Sequence, residues 1–405
     1  MHILYVSHSL PPEGRPMDNV GGMQRVALKL NEALHERSEP PHVESVLLRS
    51  SWKWTPYKVP FFLGKAAWRI RQAVLRNEAD VVLFSSMVTA ALAVPLRGFL
   101  DRHNVKTAAI THGLDVTLSV SAYQWFVPKV FGALDAVLPV SRATGAACVA
   151  RGMPADQVHV VPNGIDLDRY APPQSKSEMR ADLSEALGSK TAPLPNDALL
   201  LCSVGRQVKR KGVAWFVEHV MPTLPEHVHY WIAGDGPQSS AIQDAIDRNN
   251  LNERVRRLGR ISNPDLARLY RGADLFIMPN IPVEGDMEGF GVVMLEAGQC
   301  GCPSIAARLE GIQDVITEGE NGHLVESENP ASFREAIMQY NQAPEQLRQI
   351  SERAVQHTES NFGWSAVAEQ YVDVLRAVVD PDAAPQGDSL PGAPVEVGVH
   401  AETMA

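Results

Sequence analysis

Along the chain, short apolar runs alternate with longer stretches in which apolar residues recur every three or four positions. Runs of four to seven residues bounded by turn-forming residues read as buried strands, and the amphipathic stretches between them as helices. In the first half the strand pattern falls on His2–Val6, His42–Leu48, Val81–Phe84, Lys106–Ile110, Ala136–Pro139 and Val158–Val161. It resumes at Leu199–Val204, His229–Ala233, Val255–Leu258, Leu275–Pro279, Pro303–Ala306 and His323–Val325. Helical patterns follow at Ala331–Tyr340 and Pro344–His357, with a last amphipathic run ending at Val379. This alternation predicts an α/β protein built on doubly wound parallel sheets. The proline-rich, charged stretch Ala171–Asn196 parts the two sets, which places domains over residues 1–168 and 169–361 and a final segment over 362–380. Residues 381–405 turn to Ala, Pro and Gly with little to pack, which predicts a disordered tail.

Composition narrows the class. At 405 residues, 45% hydrophobic and 21% charged, the chain has the make-up of a soluble globular protein with two full cores. The apolar start Met1–Val6 meets Ser7, His8 and a proline pair too soon for a signal-peptide core, and no apolar run reaches the length of a spanning helix. A cytoplasmic protein is expected. Cys148, Cys202, Cys300 and Cys302 lack the paired spacing of a zinc site and read as reduced, mostly buried thiols, with no metal expected. The net charge of -10 is uneven: 17 Lys and Arg face 14 Asp and Glu up to Asp168, against 20 and 33 beyond it.

The chemistry concentrates in Glu284–Pro303, a glycine-broken polar loop that turns into an apolar helical run near Gly291. A helix begun by glycine leaves its first N–H groups open to an anion such as phosphate. Glu288 precedes that run, and Glu296 lies inside it between Leu295 and Ala297. A carboxylate there either meets ligand hydroxyls in a cleft or simply enjoys the helix dipole. Gly205-Arg206-Gln207-Val208-Lys209-Arg210-Lys211-Gly212 puts four cations between a strand's carboxyl end and a helix's amino end, a fit for a diphosphate. Gly21-Gly22, also between strand and helix, is either a phosphate-approaching loop or a turn. His112 follows a strand end, where open α/β sheets collect ligands; a surface histidine is the alternative.

Residues 50–76 stand apart. Trp52, Trp54, Tyr57, Phe61, Phe62 and Trp68 interleave with basic residues, and from Arg49 to Asn77 there are seven positive charges and no acidic side chain. Aromatic rings and long basic side chains suit an anionic membrane surface, here the inner face of the cell membrane, and a packed helix with solvated charges is the alternative. Nucleic acid fits poorly, because the rest of the chain is acidic and no binding motif accompanies the patch.

Five segments in order resemble the retaining GT-B glycosyltransferases of family 4. These are Gly21-Gly22, Val161-Pro162-Asn163-Gly164-Ile165-Asp166, Gly205-Arg206 with Lys211-Gly212, Gly234-Asp235-Gly236-Pro237, and Glu288-Gly-Phe-Gly-Val-Val-Met-Leu-Glu296. The resemblance implies two Rossmann-like domains facing across a cleft, with the last helix crossing back to the first domain. It implies a nucleotide-diphosphate sugar as donor substrate, no other cofactor, and a carbohydrate or lipid-linked acceptor approached from the first domain. Arg206 and Lys211 would neutralise the leaving diphosphate, Glu288 grip sugar hydroxyls and Glu296 the ribose. The backbone of Gly289, Phe290 and Gly291 would line sugar and phosphates, His112 would lie beside the sugar ring, and Ile261 would meet the base through its backbone. The loop Pro279–Met287 is longer than the family's usual approach to the first glutamate and adds Glu284 and Asp286, which either tune substrate choice or are solvated.

The resemblance thus predicts a metal-independent, anomer-retaining hexosyltransferase of glycolipid or cell-surface polysaccharide synthesis. Other readings are transfer to a soluble small molecule, a sugar-nucleotide epimerase, a hydrolase using Glu288 and Glu296 as its carboxylate pair, and a non-catalytic binding protein.

Overall fold

The computed structural model describes residues 1–12, 22–37, 41–51, 54–167, 176–187, 194–195 and 197–383. Gly21, Trp52, Lys53 and the expected tail from residue 384 onward lie outside the described residues. The chain divides into two compact units, Met1–Gly164 with Trp364–Ala405, and Ile165–Gly363.

In unit 1, β1 (His2–Leu10), β2 (His42–Arg49), β3 (Val81–Phe84), β4 (Lys106–Thr111) and β5 (Ala136–Pro139) form a parallel sheet in the order β2-β1-β3-β4-β5. β3 and β5 are apolar and buried throughout, as strands covered by helices on both faces must be. Helices Thr55–Leu75, Ala93–Arg102 and Ser121–Phe131 send Phe62, Ala66, Ile70, Leu96, Leu100 and Phe131 into one core with Leu4, Val82 and Phe84. Helix Trp364–Val379 lies beside helix Gly22–His35, and Arg37 pairs with Glu369.

Four expectations need correction. β1 does not stop at Val6: β2 is long enough to keep pairing as far as Leu10 opposite Arg49, across a bulge, so Ser7 and His8 belong to the strand rather than to a loop. Val158–Val161 is not a strand. Only Val158 bridges to Val137, and after two further bonds, to the Val137 and Pro139 carbonyls, Pro162 interrupts the pairing at the sheet's edge. The stretch 171–196 is more than a link, since it holds helix Lys176–Leu187, which is tied to unit 2 where Arg180 pairs with Asp274 and donates to the Gly272 carbonyl at 2.8 Å. The expected tail also starts with a short 3-10 turn, Pro381–Ala383.

In unit 2, β6 (Leu199–Val204), β7 (Val228–Ala233), β8 (Val255–Gly259), β9 (Leu275–Met278), β10 (Ser304–Ala307) and β11 (Gly322–Val325) are parallel in the order β11-β10-β9-β6-β7-β8. The chain leaves β6 toward β7 and β8 on one side, then returns to build β9, β10 and β11 on the other. The gap above the carboxyl ends of β6 and β9 is therefore the switch point of a doubly wound sheet, where the crossover loops diverge and leave a crevice. In unit 1 the equivalent place lies between β1 and β3.

The loops after β6 and β9 are locked together. Gly212 has φ 63°, and a Cβ there would sit 1.7 Å from the Pro279 carbonyl oxygen, so only glycine allows that approach. The Ile281 N–H donates to the Arg210 carbonyl at 2.9 Å. Whatever the β6 loop binds is thus held in fixed relation to the segment leading to Glu288.

Candidate functional site

The crevice of unit 2 is lined by Gly205, Arg206, Gln207 and Lys211 from the β6 loop and by Met278 and Pro279 from the end of β9. Arg206 is exposed, while Arg210 and Lys211 are partly buried and turned toward carboxylates. Lys211 Nζ lies 2.5 Å from Glu288 Oε2, Arg210 Nε lies 3.4 Å from the same oxygen, and Asn280 Nδ2 donates to it at 3.3 Å. Glu288 is only 8% exposed. Burial pushes its carboxyl up, but the charges of Lys211 and Arg210 outweigh burial and hold it below the ordinary range. It is an anion at neutral pH.

The segment beyond Glu288 is pinned from the other side. The Glu288 N–H donates to Glu310 Oε2 at 2.5 Å, and the Gly311 N–H to the Glu288 carbonyl at 3.2 Å. Burial raises the Glu310 carboxyl, and the nearby charge of Glu288 adds to the rise against the lowering effect of that N–H bond. Gly289 and Phe290 then lead to Gly291, whose φ of 88° starts helix Val292–Gln299 with no side-chain cap. Its first N–H groups stay available to an anion. Glu296 sits in the buried stretch of that helix, 5% exposed, and accepts a hydrogen bond of 3.1 Å from the Tyr270 hydroxyl. Ile261 follows β8 on the same carboxyl edge, next to Gly259, whose carbonyl accepts the Gly234 N–H at 2.7 Å.

In unit 1 a polar cluster occupies the switch point. Ser85, after β3, donates from its hydroxyl to Ser7 on β1 at 2.9 Å, and Ser86 Oγ lies 3.4 Å from His8 Nδ1. His112, after β4, reaches back so that Nε2 donates to the Ser85 carbonyl at 3.1 Å, and its own N–H donates to Asp115 at 2.7 Å. Burial, with a smaller contribution from His112, pushes His8 down to about 4. Burial also raises the Asp115 carboxyl despite the opposing effect of His112. Gly22 opens helix Gly22–His35 after the undescribed residues that follow β1.

Two family models cover most of the chain: Glycosyltransferase Family 4 matches residues 20–169, and Glycosyl transferases group 1 matches residues 198–342. The chain belongs to glycosyltransferase family 4. Among relatives of this chain is D-inositol 3-phosphate glycosyltransferase 2 of Catenulispora acidiphila, 30% identical over 242 residues, which are 56% of this chain and 52% of that one. Another is the putative colanic acid biosynthesis glycosyltransferase WcaL of Escherichia coli, 24% identical over 67% of this chain and 64% of its own. The chain spans about half the length of the curated relatives it matches first. In fold it is similar to Anabaena HepE in complex with UDP, with a TM-score of 0.68 at 18% identity over 93% of this chain and 100% of that one. Sucrose-phosphate synthase of Thermosynechococcus elongatus gives 0.67 at 21% identity over 93% and 99%. The two Rossmann-like units have the GT-B fold class.

Of the predicted residues, Arg206 and Lys211 line the crevice, Glu288 pairs with Lys211, and Gly289, Phe290 and Gly291 lead from Glu288 to the helix start. Arg206 stands apart from the ion pairs, and Glu296 lies one helical turn deeper with a protein partner already in place. Glu284 is exposed, whereas Asp286 pairs with Arg210 at 3.0 Å. The sequence reading missed Arg210 as a Glu288 partner, Asn280, Glu310 and His8. Asn280 offered a signal, a polar residue directly after a buried strand; Glu310 offered none, because its bond spans 22 positions.

Helix Thr55–Leu75 has two apolar faces. Phe62, Ala66, Ile70 and Ala73 form the buried one. Tyr57, Phe61, Trp68 and Leu75 recur at helical spacing on the opposite side and are 56–83% exposed, Phe61 the most. Lys58, Lys65 and Arg76 run along one flank of that outer stripe and Arg71 along the other, while Arg69 is paired with Glu44. Among the described residues no helix is long and apolar enough to cross a membrane.

Because His8 is held neutral in the fold, protonation favours the unfolded chain. The stabilisation is complete above the unfolded pKa near 6.5 and is lost as pH falls toward about 4. Urea unfolding across that window should show wild type losing more stability than His8→Gln, by up to about 3 kcal/mol at the acid end. Parallel curves would mean that His8 is not held neutral.

Proposed function

We propose that this family 4 glycosyltransferase moves a hexose from a nucleotide-diphosphate sugar to a hydroxyl of a lipid-linked or glycan acceptor, keeping the anomeric configuration and needing no divalent metal. The observation that carries the reading is the crevice above β6 and β9. An exposed Arg206 and a largely buried Lys211 line it, and Lys211 reaches the anionic Glu288, which lies three residues before the uncapped helix start at Gly291. Phosphate oxygens suit the cations and N–H groups, and sugar hydroxyls suit the carboxylate. The fold's similarity to HepE, which has been solved with UDP-glucose, supports a nucleotide sugar as donor.

Departure of a nucleoside diphosphate places negative charge on the phosphate oxygens, and cations already fixed nearby stabilise it without reorganising. The bond from the anomeric carbon to the phosphate breaks as the bond to the acceptor oxygen forms on the same face, and the acceptor's proton passes to a phosphate oxygen. Arg206 and Lys211 meet the diphosphate, as do the N–H groups near Gly291. Glu288 takes sugar hydroxyls, the backbone of Gly289 and Phe290 lines them, Glu296 exchanges its bond from Tyr270 for the ribose, and Ile261 meets the base. His112 is assigned to hydroxyl recognition, and Gly22 with Gly21 to the approach of the amino-terminal loop. A readout of nucleoside diphosphate release should fall by about 100- to 1000-fold in Arg206→Ala and Lys211→Ala. Turnover should survive EDTA, and the product's anomeric proton coupling should match the donor's. Full activity in both variants, or an inverted product, would contradict the reading.

The outer stripe of helix Thr55–Leu75 favours a lipid-linked acceptor over a soluble one. An exposed aromatic ridge flanked by lysine and arginine matches a helix lying in the boundary between headgroups and acyl chains. Each base adds about 1 kcal/mol near an anionic leaflet. In flotation assays the protein should bind vesicles containing phosphatidylglycerol and not pure phosphatidylcholine, and Phe61→Glu with Trp68→Glu should abolish binding without unfolding the chain. Equal recovery with neutral vesicles, or no loss in the double variant, would remove the support for this acceptor class.

A further inference from the structure

Lys211 faces two demands. In this structure it is the nearest cation to the buried Glu288 carboxylate, and it also lines the crevice that the reading above gives to a diphosphate. A diphosphate would draw the ammonium group toward itself, and Glu288 would then lose its closest counter-charge. A carboxylate only 8% exposed cannot stay charged without replacement.

The remaining cation is Arg210. Its Nε lies at 3.4 Å from Glu288 Oε2, a loose contact that its own geometry does not secure. What secures it is Asp286, whose Oδ1 and Oδ2 accept from Arg210 Nη1 at 3.0 and 3.3 Å. Asp286 is fixed in turn, because its N–H donates to the Val283 carbonyl at 3.1 Å across a turn in which Gly285 has φ 73°. The contacts of Lys211, Arg210 and Asn280 all fall on Oε2, and among the described residues Oε1 accepts no hydrogen bond.

We infer that Asp286 is a positioning residue for sugar recognition: by holding Arg210 beside Glu288, it keeps that carboxylate charged and aimed while Lys211 engages the diphosphate. The inference rests on the donor reading above and adds to it a division of labour between two neighbouring cations. Lys211 serves the phosphates and Arg210 serves the sugar-binding carboxylate. Without Asp286 nothing prevents Arg210 from joining the phosphates as well. The diphosphate would then be held as well or better, and the sugar worse. A residue that merely stabilised the loop would weaken both.

The experiment measures calorimetric affinity for two ligands, together with kcat, in wild type, Asp286→Ala, Arg210→Ala and the double variant. The ligands are a nucleotide sugar and its free nucleoside diphosphate, the pair being whichever of UDP-glucose, GDP-mannose and ADP-glucose binds wild type most tightly. Asp286→Ala should bind the free diphosphate as tightly as wild type or up to several-fold more tightly. It should lose about tenfold in affinity for the nucleotide sugar and about 10- to 100-fold in kcat, the scale of a misplaced recognition group. The double variant should be no worse toward the nucleotide sugar than Arg210→Ala alone, since Asp286 acts through that side chain. Parallel weakening of both ligands, unchanged sugar affinity and kcat, or additive losses in the double variant would overturn the inference. If no nucleotide sugar binds wild type, the donor reading itself falls and this inference falls with it.

Discussion

The carboxyl edge of unit 2 depends on compensating one buried charge, the Glu288 carboxylate. Taken from water without partners, such a group would cost several kcal/mol or take up a proton. Here it stays charged because Lys211 and Arg210 arrive from the β6 loop and Asn280 from the end of β9. That requirement explains why the two loops touch so closely. The approach of Gly212 to Pro279 and the bond from Ile281 to Arg210 bring cations and carboxylate within reach of one another across 77 positions of sequence. The same contacts leave Arg206 uncommitted at the mouth of the crevice and the helix start at Gly291 open. This arrangement is what the proposed donor, an anion that brings hydroxyl groups with it, requires.

The two units solve the problem of the switch point differently. Unit 2 crowds cations and carboxylates there, whereas unit 1 holds a cluster of serines and imidazoles in which burial keeps His8 neutral and raises the Asp115 carboxyl. The positive balance of the first half does not sit at that cluster. Much of it lies along the outer face of helix Thr55–Leu75, beside an exposed aromatic stripe. Polar recognition and basic surface are thus separate features of one unit.

The sheets were legible because a parallel strand covered on both faces must be apolar throughout, as Val81–Phe84, Ala136–Pro139 and Leu199–Val204 are. Where edge effects decide, as at Val158–Val161 and at the bulged end of β1, composition carried too little information. The glutamate pair and the basic loop could be found because glycines mark both. Their pairing could not be read. Which of four clustered cations faces Glu288 depends on the 3-10 turn Lys209–Lys211, and the partnership of Glu310 with the Glu288 backbone depends on contact between distant loops. The acidic residues of the long loop looked alike in sequence, yet the turn at Gly285 leaves Glu284 exposed and brings Asp286 onto Arg210.

The crevice of unit 2 is proposed to bind a nucleotide-diphosphate sugar through Arg206 and its neighbours. This binding is tested most directly by thermal unfolding of wild type and Arg206→Ala with UDP-, GDP- and ADP-sugars and the free diphosphates, because a ligand that binds only the folded chain raises its melting temperature. One base family should stabilise wild type, and the gain should be lost in Arg206→Ala. Equal stabilisation of both proteins, or none by any nucleotide at millimolar concentration, would contradict it.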